Sequence, residues 1–98
     1  MASSLDEAQP YDFFQEELEK KMKLYCNTQS ATPIIRYLLE TFIEFVSFNK
    51  FLTNQEELNQ DLCTEYEDWM ALYSSETQSG LAKKVALDFV RFIKENSQ

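Results

Sequence analysis

Apolar residues recur at steps of three and four along most of this chain of 98 residues, which is the spacing of amphipathic helices. The pattern predicts four helices, at about 9–25, 33–48, 54–73 and 77–95, joined by polar connections. The chain has one glycine and two prolines, and the hairpin signals Asn-Gly and Asp-Gly are absent. We therefore expect an all-α fold, a small four-helix antiparallel bundle forming a single helical domain over residues 1–98.

Residues with capping chemistry precede three of the predicted helices. Thr32 is followed by Pro33, the pairing expected of an N-cap and a first-turn proline. Residues 53–56, Thr-Asn-Gln-Glu, match a capping box and predict that the third helix begins there. Residues 4–7, Ser-Leu-Asp-Glu, match another capping box ahead of the first helix, and we expect residues 1–8 to form a flexible N-terminal segment.

The second predicted helix is apolar over about two-thirds of its circumference, judged at the usual 100° advance per residue. Its narrow polar strip consists of Arg36, Glu40, Glu44 and Ser47. A helix with so small a polar face has to be covered on several sides. We expect it either at the centre of the bundle or in an oligomer interface.

Four apolar side chains fall outside the main apolar stripe of their helices. They are Phe13 and Leu24 on the first helix and Tyr37 and Phe48 on the second. Exposed apolar groups of this kind mark contact surfaces. We interpret the four as an apolar partner-binding or oligomer contact, with packing of the helices on two sides as the alternative.

The net charge of −8 is concentrated in one part of the chain. Residues 51–82 contain seven acidic residues and no basic one, between Lys50 and Lys83. Six of the seven lie on the predicted third helix, away from its apolar stripe: Glu56, Glu57, Asp61, Glu65, Glu67 and Asp68. Because no lysine or arginine relieves their repulsion, this helix face predicts an electrostatic contact for a basic protein partner.

Other interpretations of the acidic face remain open. Six acids over about 18 Å of helix approach the spacing of roughly 3.4 Å between phosphates along a DNA strand, which suggests a DNA-mimicking inhibitor of a nucleic-acid-binding enzyme. The face could also be solvated and without a dedicated function. A structural homo-oligomer closed through the second helix and the four apolar residues outside the stripes, in the simplest case a homodimer, is a third function class.

Residue types needed for common catalytic and cofactor sites are scarce. There is no histidine, the single glycine excludes glycine-rich phosphate loops, and Cys26 and Cys63 are too far apart in sequence for a paired metal motif. We expect no catalytic, cofactor or metal site, and we expect Cys63 to be a half-buried thiol at the edge of the third helix.

Acidic composition and cysteine content bear on location and partners. A sequence pI near 4.4 argues against direct binding of nucleic acids or anionic membranes. The N-terminal residues do not resemble a signal peptide, and two cysteines are too few for a disulfide framework. The sequence predicts a cytoplasmic, non-catalytic module that regulates or inhibits a larger, basic-surfaced protein through the helix at 54–73.

Overall fold

The computed structural model describes residues 10–73 and 76–96. It contains four α-helices, which we number α1 (Pro10–Gln29), α2 (Pro33–Phe48), α3 (Gln60–Tyr73) and α4 (Glu76–Glu95). No strand occurs in these two ranges. The predicted all-α four-helix bundle is confirmed. The expectations for residues 1–8 and for the capping box at residues 4–7 lie outside the described part of the chain.

The helices are arranged around α4. It lies against each of the other three helices, whereas α2 lies mainly against α1 and α4. Along the contact of α1 with α4, Lys21 Nζ donates to the Asn96 carbonyl oxygen at 3.0 Å, and the Tyr25 hydroxyl donates to Asp88 Oδ2 at 2.5 Å. Residue numbers rise along α1 as they fall along α4, so these two helices are antiparallel.

A chain of seven aromatic rings runs through the core and includes side chains from all four helices. In order of contact, its members are Trp69, Phe45, Tyr66, Phe42, Phe89, Tyr25 and Phe92. Ring centroids of successive members lie 5.1–6.4 Å apart, and most pairs meet edge to face. This geometry suits the ring quadrupoles and adds to the stabilisation from burial of apolar area.

The hydroxyl of Tyr66 joins α3 to α2 within this aromatic chain. Tyr66 is fully buried, and its hydroxyl donates to the Leu38 carbonyl oxygen at 2.7 Å. Without such a partner, a hydroxyl removed from water would destabilise the fold. The bond therefore selects one rotation and one height of α3 relative to α2.

The first helix is longer than the sequence predicts. It continues past residue 25 to Gln29, where Ser30 adopts a left-handed conformation with φ 53°. The Ala31 amide donates to the Cys26 carbonyl oxygen at 3.1 Å, which is the long hydrogen bond of a Schellman C-cap. The prediction missed this end because the left-handed position is held by serine and not by glycine.

The third helix begins later than the sequence predicts. The Glu57 amide donates to Asn54 Oδ1 at 3.2 Å, and Glu57 Oε1 accepts from the Thr53 amide at 3.0 Å. The cap is therefore Asn54 with Glu57, one residue later than the predicted box at residues 53–56, and it begins only a single 3-10 turn, Gln55–Glu57. Leu58 then turns into the core in an extended conformation. Asn59 Oδ1 accepts from the Leu62 amide at 2.9 Å and starts α3 at Gln60. The predicted start near residue 54 is wrong because two asparagines act as caps in succession.

The polar strip predicted for α2 is narrower still. Ser47 is buried, although the sequence pattern assigns it to the exposed strip. Its Oγ has no hydrogen-bond partner among residues 10–73 and 76–96. The ends of α2 match the prediction, with Thr32 Oγ1 accepting from the Ile35 amide at the first turn.

Replacing Tyr66 with phenylalanine tests the buried hydrogen bond. We expect Tyr66→Phe to lower the free energy of unfolding by about 1 kcal/mol, because the ring contacts remain and the hydroxyl's bond to Leu38 is lost. Tyr37→Phe is the matched control at an exposed tyrosine and should change it by less than about 0.5 kcal/mol. Urea unfolding followed by circular dichroism measures both, and equal effects of the two changes would contradict the assignment.

Replacing Ser30 with glycine tests the strained end of α1. We expect Ser30→Gly to raise the free energy of unfolding by roughly 1 kcal/mol, because glycine has no Cβ to oppose the left-handed conformation. Asn27→Gly, within the last helical turn, should instead lower it by several tenths of a kcal/mol. Thermal and urea unfolding give both values, and destabilisation by Ser30→Gly would refute this account of the helix end.

Candidate functional site

The six predicted acidic site residues lie on two different elements. Glu56 and Glu57 belong to the 3-10 turn, whereas Asp61, Glu65, Glu67 and Asp68 belong to α3. Five of them are exposed and Glu67 is half-buried. The single acidic ridge expected from helical spacing is therefore interrupted, because Leu58 leaves the helical path to enter the core.

Two of these carboxylates already have partners within the chain. Glu65 Oε1 forms an ion pair with Lys50 Nζ at 2.5 Å, and Glu57 accepts from the Thr53 amide. Both side chains of the ion pair are partly exposed, so water screens it and it adds little to stability. Asp61 and Asp68 form no ion pair with any residue in the described ranges.

The exposed face of α3 carries a stripe of four residues that we call the α3 stripe: Asp61, Glu65, Asp68 and Leu72. Their spacings of four, three and four align them along about 16 Å of helix. Leu72 is 76% exposed, more than any other large apolar side chain in the described ranges. Sequence reasoning missed Leu72, although its position four residues after Asp68 carried the signal.

The four predicted apolar contact residues are all exposed, but they do not form one surface. Tyr37 and Phe48 line a groove between α1 and α2. Phe13 lines a second groove, between α1, the end of α4 and residues 53–55. Leu24 lines neither groove. Helical register therefore identified exposed side chains without showing which of them are neighbours.

The groove that contains Tyr37 and Phe48, which we call the α1–α2 groove, has a volume of about 640 Å³. Met22 and Ile43, both buried, contribute apolar surface to its floor. Its charged lining residues are Glu19, Glu40 and Glu44 against the single base Lys23. The groove thus combines apolar surface with a net negative charge.

The groove that contains Phe13 has a volume of about 620 Å³ and a different chemistry. Phe14, Leu18 and Ile93 line it together with the polar residues 53–55. Its two charged lining residues are Glu17 and Lys21, whose charges cancel. It therefore offers no electrostatic preference for a partner.

Both cysteines are buried and neither forms a disulfide. The Cys63 side chain is 0% exposed, so the expectation of a half-buried thiol is wrong. Burial raises the pKa of Cys63 to about 11, although Lys83 and Lys94 act in the opposite direction. A thiol that stays protonated and inaccessible is a poor nucleophile.

Residues 10–73 and 76–96 contain no group of three or more histidine, cysteine, aspartate or glutamate side chains able to hold a metal ion. No helix within the described part of the chain is long and apolar enough to cross a membrane. Comparison with protein-family models, with curated proteins and with solved structures found no match for this chain.

The buried hydroxyl and thiol groups predict loss of stability at alkaline pH. Burial and the hydrogen bond to Asp88 raise the pKa of Tyr25 well above its usual value near 10, and burial does the same to the pKa of Tyr66. The hydroxyl protons of Tyr25 and Tyr66 and the thiol proton of Cys63 are therefore bound more tightly in the folded state than in the unfolded chain. Their contribution to stability is complete below the unfolded pKa values and is lost as pH rises through the folded ones.

We expect the free energy of unfolding to fall as pH rises above about 9, with the Cys63 contribution lost first. Urea unfolding at several pH values between about 7 and 11 measures this dependence. The control is Cys63→Ala, which should flatten the decline between roughly pH 8.5 and 11, because alanine does not titrate. A free energy of unfolding that stays constant up to pH ~11 would contradict the burial of these groups.

Proposed function

We propose that this protein is a non-catalytic binding module that regulates or inhibits a larger protein with a basic surface. The α3 stripe is its electrostatic contact. The two buried free thiols are compatible with a reducing compartment such as the cytoplasm, where we propose that it acts. The mechanism is steric: the module covers a basic site on its partner.

The exposure of Leu72 within an acidic stripe is the observation that supports this proposal most strongly. An isolated exposed leucine is common on protein surfaces. Leu72, however, continues the row of Asp61 and Asp68, whose carboxylates have no ion-pair partner in the described ranges. A charged row that ends in an apolar group is suited to attract a basic surface and then to anchor on it.

The charges and the leucine would contribute to different steps of binding. Carboxylates that face a basic surface raise the association rate and make the affinity depend on salt. Leu72 would slow dissociation by packing into an apolar recess of the partner, since apolar burial is insensitive to charge screening. Lys50 would remain paired with Glu65 at the side of the stripe.

The alternative of DNA mimicry has weaker support. It depended on six acids in one continuous helix, whereas the three carboxylates of the α3 stripe are spaced about 5 Å apart. One of these three is paired with Lys50. A homo-oligomer closed through α2 and the exposed apolar residues also has weaker support, because those residues do not form one surface and two copies with a formal charge of −8 repel each other.

Charge reversal on the stripe tests the proposed contact. The native chain and the double variant Asp61→Lys/Asp68→Lys would serve as matched baits in a native lysate of the source organism, at low and high salt. We expect the variant to bind the basic partner at least about tenfold more weakly, because like charges then face each other. Leu72→Ala should weaken binding about tenfold through faster dissociation.

The double variant Glu16→Lys/Glu95→Lys is the control, since it makes the same change in net charge at exposed positions on α1 and α4. It should retain most of the affinity. If both double variants weaken binding equally, net charge and not the α3 stripe determines recognition, and the proposed contact is wrong.

A further inference from the structure

The exposed side of α2 presents an alternation of aromatic and acidic groups along the α1–α2 groove. Tyr37 and Phe48 are 50% and 56% exposed, and they lie on the same side of the helix because eleven residues make three turns. Glu40 and Glu44, both exposed, lie between them at intervals of about one turn. The aromatic groups are therefore about 16 Å apart along the helix, with two carboxylates in between.

The opposite wall of the groove, formed by α1, reinforces this chemistry. Glu19 adds a third carboxylate, and Lys23 is the one base among the described lining residues. The floor between the walls includes the apolar side chains Met22 and Ile43. An occupant should therefore be elongated, with apolar groups towards both ends of the side that faces the groove and positive charge near the middle of that side.

A second copy of this chain is a poor occupant of the groove because of its negative charge. Its formal charge is −8, and association through the same groove would bring the glutamates of both copies together. Nucleic acid is disfavoured by the same argument, because its phosphates would face three carboxylates. Charge complementarity selects a basic segment of a different protein.

We propose that the α1–α2 groove binds a helix that belongs to a basic protein partner and that carries apolar and basic residues on one face. The partner helix would carry apolar residues at positions i and i+11, to pack against Tyr37 and Phe48, and arginine or lysine at i+4 and i+7, to pair with Glu40 and Glu44. Helices bound in grooves are recognised through such one-sided anchors. This inference rests on the proposed function, because it assumes that the partner is a basic protein.

The proposed contacts use interactions of known strength. Arginine can pair with a carboxylate through two parallel hydrogen bonds and can also lie over the Tyr37 ring. The apolar anchors remove Phe48 and Tyr37 from water at the two ends of the groove. Charge pairs in the middle and apolar contacts at the ends make recognition depend on the spacing of the partner helix as well as on its charge.

A synthetic helical peptide tests the groove without knowledge of the natural partner. The probe is an alanine- and glutamine-based helix with leucine at i and i+11 and arginine at i+4 and i+7. The control peptide has the same composition, with both arginines moved to the opposite helix face. Titration into the full chain, followed by amide chemical shifts, should give at least about tenfold tighter binding of the probe. The perturbed amides should cluster at the groove residues of α1 and α2.

Variants of the full chain distinguish this proposal from the function proposed above. We expect Glu40→Gln/Glu44→Gln to weaken peptide binding about tenfold and to remove most of its salt dependence. Asp61→Lys/Asp68→Lys, on the α3 stripe, should leave peptide affinity within about twofold, since these residues do not line the groove. Circular dichroism verifies that each variant remains folded.

Several outcomes would overturn the groove proposal while leaving the α3 contact standing. Equal binding of the two peptides would show that the groove does not recognise the position of the arginines. Chemical-shift changes confined to the amides of α3 would show that the peptide binds at a different site. Salt-sensitive self-association of the unmodified chain, without peptide binding, would assign the groove to a second copy. Conversely, loss of partner binding in the glutamine variant but not in the α3 variant would support the groove and refute the α3 contact.

Discussion

The packing of the Tyr66 ring against Phe42 and Phe45, together with its hydroxyl bond to Leu38, sets how α3 lies against α2, and the surfaces described above depend on that arrangement. The backbones of α2 and α3 make few close approaches, and residues 49–59 separate them in sequence. Side chains therefore determine how these helices lie relative to each other. Burial of the hydroxyl allows one arrangement, because any rotation of α3 that broke the bond would leave a polar group unsatisfied in the core.

This orientation of α3 determines the character of two surfaces. With Tyr66 directed inward, Asp61, Asp68 and Leu72 are directed outward, and Glu65 comes within reach of Lys50 at the end of α2. Since α2 uses most of its circumference for the core, its exposed strip is narrow. Charged and aromatic groups that could not enter the core are concentrated on that strip, next to α1. The packing of α2 and α3 thus determines both which side chains are buried in the core and which remain on the two surfaces.

The first and last residues of a helix could be predicted where capping residues and prolines give a clear local signal. Thr32 and Pro33 start α2 as expected, because a capping oxygen and a fixed φ act within one turn. Prediction failed at Ser30, which holds a left-handed conformation without glycine, and at Leu58, whose burial interrupts the helical path between two capping asparagines. At Leu58 a tertiary contact outweighed local preference. The buried Ser47 and Cys63 were missed because a helical wheel cannot show how many sides of a helix are covered.

The sequence by itself determined the number of helices, most of the residues that form the core, the excess of acidic groups, and that Phe13, Leu24, Tyr37 and Phe48 lie outside the apolar stripes. These properties follow from periodicity and composition, which act over a few residues. Only the tertiary structure decided that Tyr37 and Phe48 share a groove, that Phe13 lies in another, and that Glu65 pairs with Lys50. The neighbours across a surface are set by how helices distant in sequence pack together, and local periodicity contains no information about that packing.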